Sequence, residues 1–121
     1  MKFLFVAVVL LALTACTSIR PSPEAFVSAE TGIAAAEKAG GDEFAPLEMR
    51  FAREKLASAH KGMEKQKYEV ALYLVEQSEI NSELAIEKSR AAKSRRRVNE
   101  QRKSNDELES KLRETFGDEF E

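Results

Sequence analysis

The sequence predicts an all-α fold, and three observations point to it. Charged residues make up 33% of the chain and hydrophobic ones 43%, a balance that suits long amphipathic helices. Beyond residue 20 no run of Val, Ile or Thr alternates with polar residues, as a half-buried strand requires. Residues 68–116 contain neither proline nor glycine, so nothing in that stretch stops a helix. The 121 residues allow one small domain. The expected arrangement is three helices over about 24–39, 46–64 and 67–112: a helical hairpin and a long, projecting third helix, with 24–112 as the helical domain.

Ahead of the helices the chain begins Met1-Lys2 and runs through an apolar stretch over residues 3–13. A basic start, a short apolar core and small residues after it describe an export signal. A spanning helix needs about 20 apolar residues, so length argues against a retained membrane anchor. Leu13-Thr14-Ala15-Cys16 follows at once and resembles a bacterial lipobox. That resemblance implies cleavage before Cys16, with residues 1–15 removed as a signal peptide. It also implies a diacylglycerol on the Cys16 sulfur and an N-acyl chain on the new amino terminus, and no other cofactor. A redox or metal role for this cysteine fails because the chain has no second one. By analogy with enteric-type lipoproteins, where Asp after the cysteine favours inner-membrane retention, Thr17 places the chain on the periplasmic face of the outer membrane.

Residues 16–23 then form the lipidated cysteine and a polar tether with two prolines. Ser22-Pro23-Glu24 opens the first helix with a capping hydroxyl, a proline at the first helical place and an acid in the first turn. Phe26, Ala29, Ile33 and Ala36 keep helical spacing, and Gly40-Gly41 ends the helix. The second starts at Ala45-Pro46, or Asp42 caps it instead. Ala45, Met49, Ala52, Leu56, Ala59 and Met63 form its stripe, whose alanines allow another helix to pack closely.

A break near Lys65-Gln66-Lys67 precedes the third helix. Tyr68 and residues 70–75 are apolar all round, which predicts burial on more than one side. At 1.5 Å per residue this helix is about 68 Å long, more than twice the second, so its far part has no partner within its own chain. Leu84, Ala91, Val98, Asn105 and Leu112 share one heptad position, and Ile80, Glu87, Ser94, Gln101 and Leu108 the other. About half are apolar, which describes a solvated face better than an unaided coiled-coil seam. Residues 113–121 are expected to form an acidic, disordered tail.

The stretch "EFAPLEMRFAREKLASAHKGMEKQKYEVALYLVEQSEINSELAIEKSRA" resembles the helical domain of unknown function 4398 found in bacterial lipoproteins. Ala45-Pro46, Ala52, Lys55-Leu56, Ala59, Tyr68, Ala71, Glu76-Gln77 and Leu84-Ala85 match its pattern. Gln66 stands where a turn glycine is common, and Ser78 replaces a usual alanine. The resemblance covers roughly residues 24–95. It implies an envelope location and a helical fold, and carries no assigned activity. Some members continue into an OmpA-like peptidoglycan-binding domain, and no such domain is expected here.

Chemistry-bearing constellations are sparse. His60 sits beside the apolar stripe and reads as a solvated helix histidine. No Gly-flanked nucleophile, phosphate loop or metal-ligand cluster is present, so neither a catalytic residue nor a metal is expected. Charge segregation is the unusual feature. Residues 88–103 carry Lys88, Arg90, Lys93, Arg95, Arg96, Arg97, Arg102 and Lys103 against one acid, Glu100, whereas residues 105–121 carry seven acids against two bases. In the cytoplasm such a basic stretch would suggest nucleic acid, through phosphate neutralisation. The export signal removes that target, so no nucleic acid is expected. The remaining readings are a solvated polar face or contact with something anionic in the envelope: lipopolysaccharide phosphates, peptidoglycan carboxylates or an envelope protein. Self-association by antiparallel pairing of the basic stretch with another copy's acidic tail belongs to the same set. The function expected is a non-catalytic structural or interaction role in the cell envelope. Replacement of Cys16→Ala should leave the precursor uncut and unacylated, read by mass spectrometry of the amino terminus; a mature end elsewhere, or a free Cys16 thiol, would remove the lipoprotein assignment.

Overall fold

Four helices account for nearly all of residues 20–117, the residues that the computed structural model describes: α1 Pro23–Lys38, α2 Gly41–Phe44, α3 Pro46–Glu64 and α4 Tyr68–Phe116. No strand occurs among them, and the all-α fold stands as the sequence predicts. The expected signal peptide with Leu13, Thr14 and Ala15, the expected lipidation site Cys16 and residues 118–121 lie outside the described residues. The expected three-helix arrangement gains one element, the single-turn α2 between the first two helices.

Contacts at both ends of each helix set their directions. The Arg20 guanidinium lies 5.8 Å from the centre of the Tyr68 ring, so α1 and α4 start side by side. Gly40 approaches Lys93, so they are still neighbours where α1 ends. α3 runs the other way. Its Glu48 meets Lys88, the Ala52 carbonyl meets Ser78, and Gly62 meets Ala71. The tether thus enters at one end of a three-helix bundle, and α4 leaves at the other.

α4 turns a seam of small residues inward. Ala71, Val75, Ser78, Ser82, Ala85 and Ser89 are its buried positions, alternating by four and three, so they form one straight stripe along the helix. Small side chains let the helices approach closely. An added Cβ on Gly32 of α1 would lie 3.4 Å from Ser82 Cβ, and one on Gly62 of α3 would lie 3.2 Å from Ala71 Cβ. The larger core residues come from the other helices. Phe26, Ala29, Leu56 and Ala59 pack with Val75 at the tether end, while Ala36, Ala45 and Met49 pack with Ala85 farther up. Half-buried Ile33 touches both groups. The stripes expected on α1 and α3 are therefore the observed core, with Ile33 and Met63 only half buried.

The α4 hydroxyls do not remain unpaired in this apolar seam. Ser78 Oγ donates to the Ala52 carbonyl of α3 at 2.8 Å, while Ser82 and Ser89 donate back to the Ser78 and Ala85 carbonyls of their own helix. Bulk lies outside. Val70, Tyr73, Ile80 and Leu84 are exposed, which corrects the expectation that residues 70–75 are buried on several sides. The smaller Ala71 and Val75 face inward because only they fit the close approach.

The turns follow from local chemistry. α1 ends with Gly40 at φ 89°, a conformation open to glycine, and its N–H donates to the Glu37 carbonyl. A side chain there would also meet Lys93. Asp42 lies within α2 and caps nothing, and Ala45 provides the break before Pro46. α3 closes with two reciprocal bonds: Gln66 N–H to Met63 O at 3.0 Å and Lys67 N–H to Gly62 O at 2.9 Å. Gln66 holds φ 56°, so a glutamine occupies a left-handed place that suits glycine better. At the start of α1, Ser22 sits at the cap position, yet its hydroxyl makes no capping bond to the helix backbone. The Ser22 carbonyl accepts from Ala25 N–H instead.

α4 runs on to Phe116, past the expected end at 112, so residues 113–116 of the expected tail are helical. Gly117 is the first residue able to stop it. Glu109 and Arg113 pair at 2.8 Å across the last turns, and Arg113 adds a cation where the helix dipole is negative. If the serine seam governs packing, then Ser82→Leu should cost about 1–3 kcal/mol by overpacking against Gly32. Ser82→Ala, which removes only a bond to its own helix, should stay within about 1 kcal/mol of wild type. Urea unfolding followed by circular dichroism compares the two; equal effects would show that close approach at this point is not the constraint.

Candidate functional site

The eight cations singled out in the sequence all lie on α4, but the structure divides them by what they touch. Those nearest the bundle are held by it. Lys88 Nζ donates to the Glu48 carboxylate of α3, the one buried acid among the described residues. Arg90 pairs with Glu87 at 2.6 Å within its own helix. The Lys93 ammonium lies 5.8 Å from the centre of the Phe44 ring and beside Gly40, covering the junction of α1 and α2. Arg96 donates to Glu100 at 3.1 Å and approaches Glu43 of α2 at 3.9 Å.

Beyond Arg96 the helix leaves the bundle. Every residue from 93 to 117 is exposed. The arm over residues 97–116 extends about 30 Å at 1.5 Å per residue. Lys103 reaches Glu107 only at 3.9 Å, and Arg95, Arg97 and Arg102 make no ion pair among the described residues. Consecutive arginines point around several sides of a helix, so no single internal row can satisfy them. A shallow, open depression lined by Ala92, Arg95, Arg96, Asn99, Glu100 and Lys103 runs along this base of the arm. Its arginines are planar donor forks suited to carboxylate or phosphate oxygens. The basic stretch is thus divided: three free arginines stand on a solvated helix, and the other five cations are engaged inside the chain.

One polar cluster escaped the sequence reading. Arg53 of α3 donates to Glu37 of α1 at 2.7 Å and to both Asp42 oxygens of α2 at 2.9 and 3.2 Å. Its guanidinium joins three helices at the end from which the arm departs. The hydrogen bonds from Arg53 hold the Asp42 carboxyl below its ordinary value, and those to Asp42 and then Glu37 raise the guanidinium. These partners stand 11 and 16 residues from Arg53, spacings that no helical periodicity brings together. His60 is exposed, as expected, and its ring rests 4.7 Å from that of Phe26, lying over the core at the tether end.

Glu48 carries the pH dependence. The Lys88 hydrogen bond holds its carboxyl below the ordinary range, outweighing the opposite effect of burial, and its own backbone N–H adds to the lowering. A carboxyl depressed in the folded state contributes stability that is complete above its unfolded pKa and is lost as pH falls through the folded one. Glu48→Gln should therefore melt below wild type at neutral pH, with the gap closing as pH falls from about 5 to about 2. A gap of constant size in thermal melts across that range would show that the pair does not link stability to pH.

Residues 24–101, well over half of the chain, match the family described as Domain of unknown function (DUF4398). No curated protein and no solved structure matches the chain. The matched span takes in α1 to α3, the serine seam of α4 and the basic base of the arm as far as residue 101. With the bundle and the start of its arm inside that span, the chain belongs to the DUF4398 family.

Proposed function

We propose that this chain is a lipid-anchored, non-catalytic interaction protein of the bacterial outer membrane, held on the periplasmic face by acyl chains on Cys16. In this reading residues 1–15 are a signal peptide ending in the lipobox Leu13-Thr14-Ala15. The bundle is a spacer, and the arm of α4 makes the contact with an anionic component of the envelope. One observation carries the reading: the tether and the arm leave the bundle at opposite ends.

The geometry of the tether supports it. Pro21 is buried and Arg20 stacks on Tyr68, so the chain is already seated on the bundle by residue 20. Three residues then separate Cys16 from Arg20, and the four Cα-to-Cα steps reach about 14 Å. An acylated Cys16 would hold the tether end against the lipid surface, while the arm begins at the far end of the bundle. Each buried methylene contributes about 0.8 kcal/mol to membrane association, so a multiply acylated cysteine gives lasting attachment where one chain would not. No helix among the described residues is long and apolar enough to cross a membrane.

Arg95, Arg97 and Arg102 supply the recognition, because they alone in the basic stretch have neither an ion pair nor an aromatic partner among the described residues. Exposed charges are screened over about 10 Å at 0.1 M salt, so binding through them is salt-sensitive. Changing all three to Gln should leave helicity by circular dichroism unchanged, because none holds the bundle. The same change should reduce low-salt retention of the detergent-solubilised full chain on purified envelope fractions several-fold. Equal retention of variant and wild type at low salt would overturn the assignment of the arm as the interacting part.

A further inference from the structure

The arm carries opposite charges on its two halves and an apolar stripe along one face, and no helix among the described residues covers either. Val98, Leu108 and Leu112 are 42%, 55% and 47% exposed. They fall on the two heptad positions shared with Ser94, Gln101 and Asn105, so all six line one side of the helix. The base leaves Arg95, Arg97 and Arg102 without an ion pair, and the tip leaves Asp106 and Glu114 likewise, among the described residues. Sequence beyond the tip adds Asp118, Glu119 and Glu121.

We infer that two copies pair through their arms, antiparallel, with the basic base of each against the acidic tip of the other. The inference rests on the arm being the interacting part and names its partner as a second copy of this chain. Parallel pairing would set base against base, bringing unpaired arginines within a screening length of one another. Antiparallel pairing lays residues 90–102, six cations against one acid, along residues 104–116 of the other copy, four acids against two cations.

The apolar stripe selects the register. With Val98 opposite Leu108 of the second copy, Ser94 meets Leu112, a small side chain against a large one. Gln101 then meets Asn105, amide against amide, twice about the dyad. Buried amides of this kind cost stability and fix register. The dyad falls near Lys103, and the tip of each arm reaches the level of Arg90 in the other. Steric room exists there, because the bundle covers the seam of Ser82, Ala85 and Ser89, whereas Leu84 and Ala91 on the outer face are exposed.

This pairing has a geometric consequence. Counting from Tyr68 of one copy to Tyr68 of the other through that register gives a rod of about 105 Å at 1.5 Å per residue. A tether leaves each end of it.

The test uses the full acylated chain in native membranes, as two differently tagged copies produced together. One carries Val98→Cys, the other Leu108→Cys, and a short thiol-to-thiol reagent joins cysteines that face each other. Acylated Cys16 does not react, and the wild-type pair reports the background. Antiparallel pairing predicts mixed-tag dimers at least tenfold above those from Val98→Cys with itself. Absence of the mixed dimer, or equal self-linking of Val98→Cys, overturns the inference.

A charge exchange checks the cause. Copies with Arg95, Arg97 and Arg102 changed to Glu should fail to pair with themselves. Copies with Asp106 and Glu114 changed to Lys should fail likewise, while a mixture of the two should pair again. Failure of the mixture overturns the inference. If self-pairing is absent and yet the Arg95, Arg97 and Arg102 to Gln change lowers envelope retention, this inference falls and the reading of the arm as an envelope contact stands.

Discussion

Close approach of three helices over the small-residue seam of α4 is the constraint on which the rest of the structure depends. Ala71, Val75, Ser78, Ser82, Ala85 and Ser89 offer little apolar area. At roughly 25 cal/mol per Å² the seam alone contributes modestly. Its value is geometric. It brings Gly32 and Gly62 of the neighbouring helices against α4 and lets Phe26, Leu56 and Met49 bury their bulk between the helices. The serines are compatible with this because each hydroxyl has an acceptor within reach, so no unpaired donor is left in a dry interior. A larger side chain on the seam would hold the helices apart and open the contacts of both core groups.

The same constraint determines where the bundle ends. α1 spans 16 residues and α3 spans 19, whereas α4 spans 49. After Ser89 no neighbouring helix remains to receive an inward residue, and only half-buried Ala92 follows on that face. Polar contacts take over at this boundary. Lys88 on Glu48, Lys93 on Phe44, Arg96 near Glu43 and Arg53 between Glu37 and Asp42 tie the end of the bundle together. Most of these side chains are about half exposed or more, and an exposed pair contributes from nothing to about 1 kcal/mol. Their effect is to fix the direction in which α4 departs.

α1 and α3 are legible in the sequence because, Glu48 apart, their buried side chains are also their apolar ones. Phe26, Ala29 and Ala36, and Ala45 to Ala59, stand out by hydrophobic periodicity, and periodicity is what burial imposes on a helix. The inward face of α4 is hidden for the opposite reason. Half of it is serine, which no hydropathy pattern marks, while Val70, Tyr73, Ile80 and Leu84 point outward and supply the apolar signal. The heptad built on Leu84, Val98 and Leu112 is real as a stripe, but it lies away from the bundle. The available clue is a recurrence of small residues every seven positions: Ala71, Ser78 and Ala85 on one track, Ser82 and Ser89 on the other. The division of the basic stretch is not legible either. Whether Lys88 or Arg95 is free depends on α3 and α2, which reach the first and miss the second.

An arm of this length raises a question of helix stability that its sequence partly answers. An isolated helix of about 20 residues is marginal in water because its first turn is costly to form. Here the bundle provides that turn, and residues past Arg96 only propagate it. Arg96–Glu100, Lys103–Glu107 and Glu109–Arg113 then support successive turns at four-residue spacing, each worth about 0.2–0.5 kcal/mol. Such support holds a helix without burying any of it. Val98, Leu108 and Leu112 contribute nothing to the bundle, and a solvated arm needs none of them. Their place on one face is therefore a constraint separate from folding, and a partner along the arm would turn a marginal helix into a fixed one.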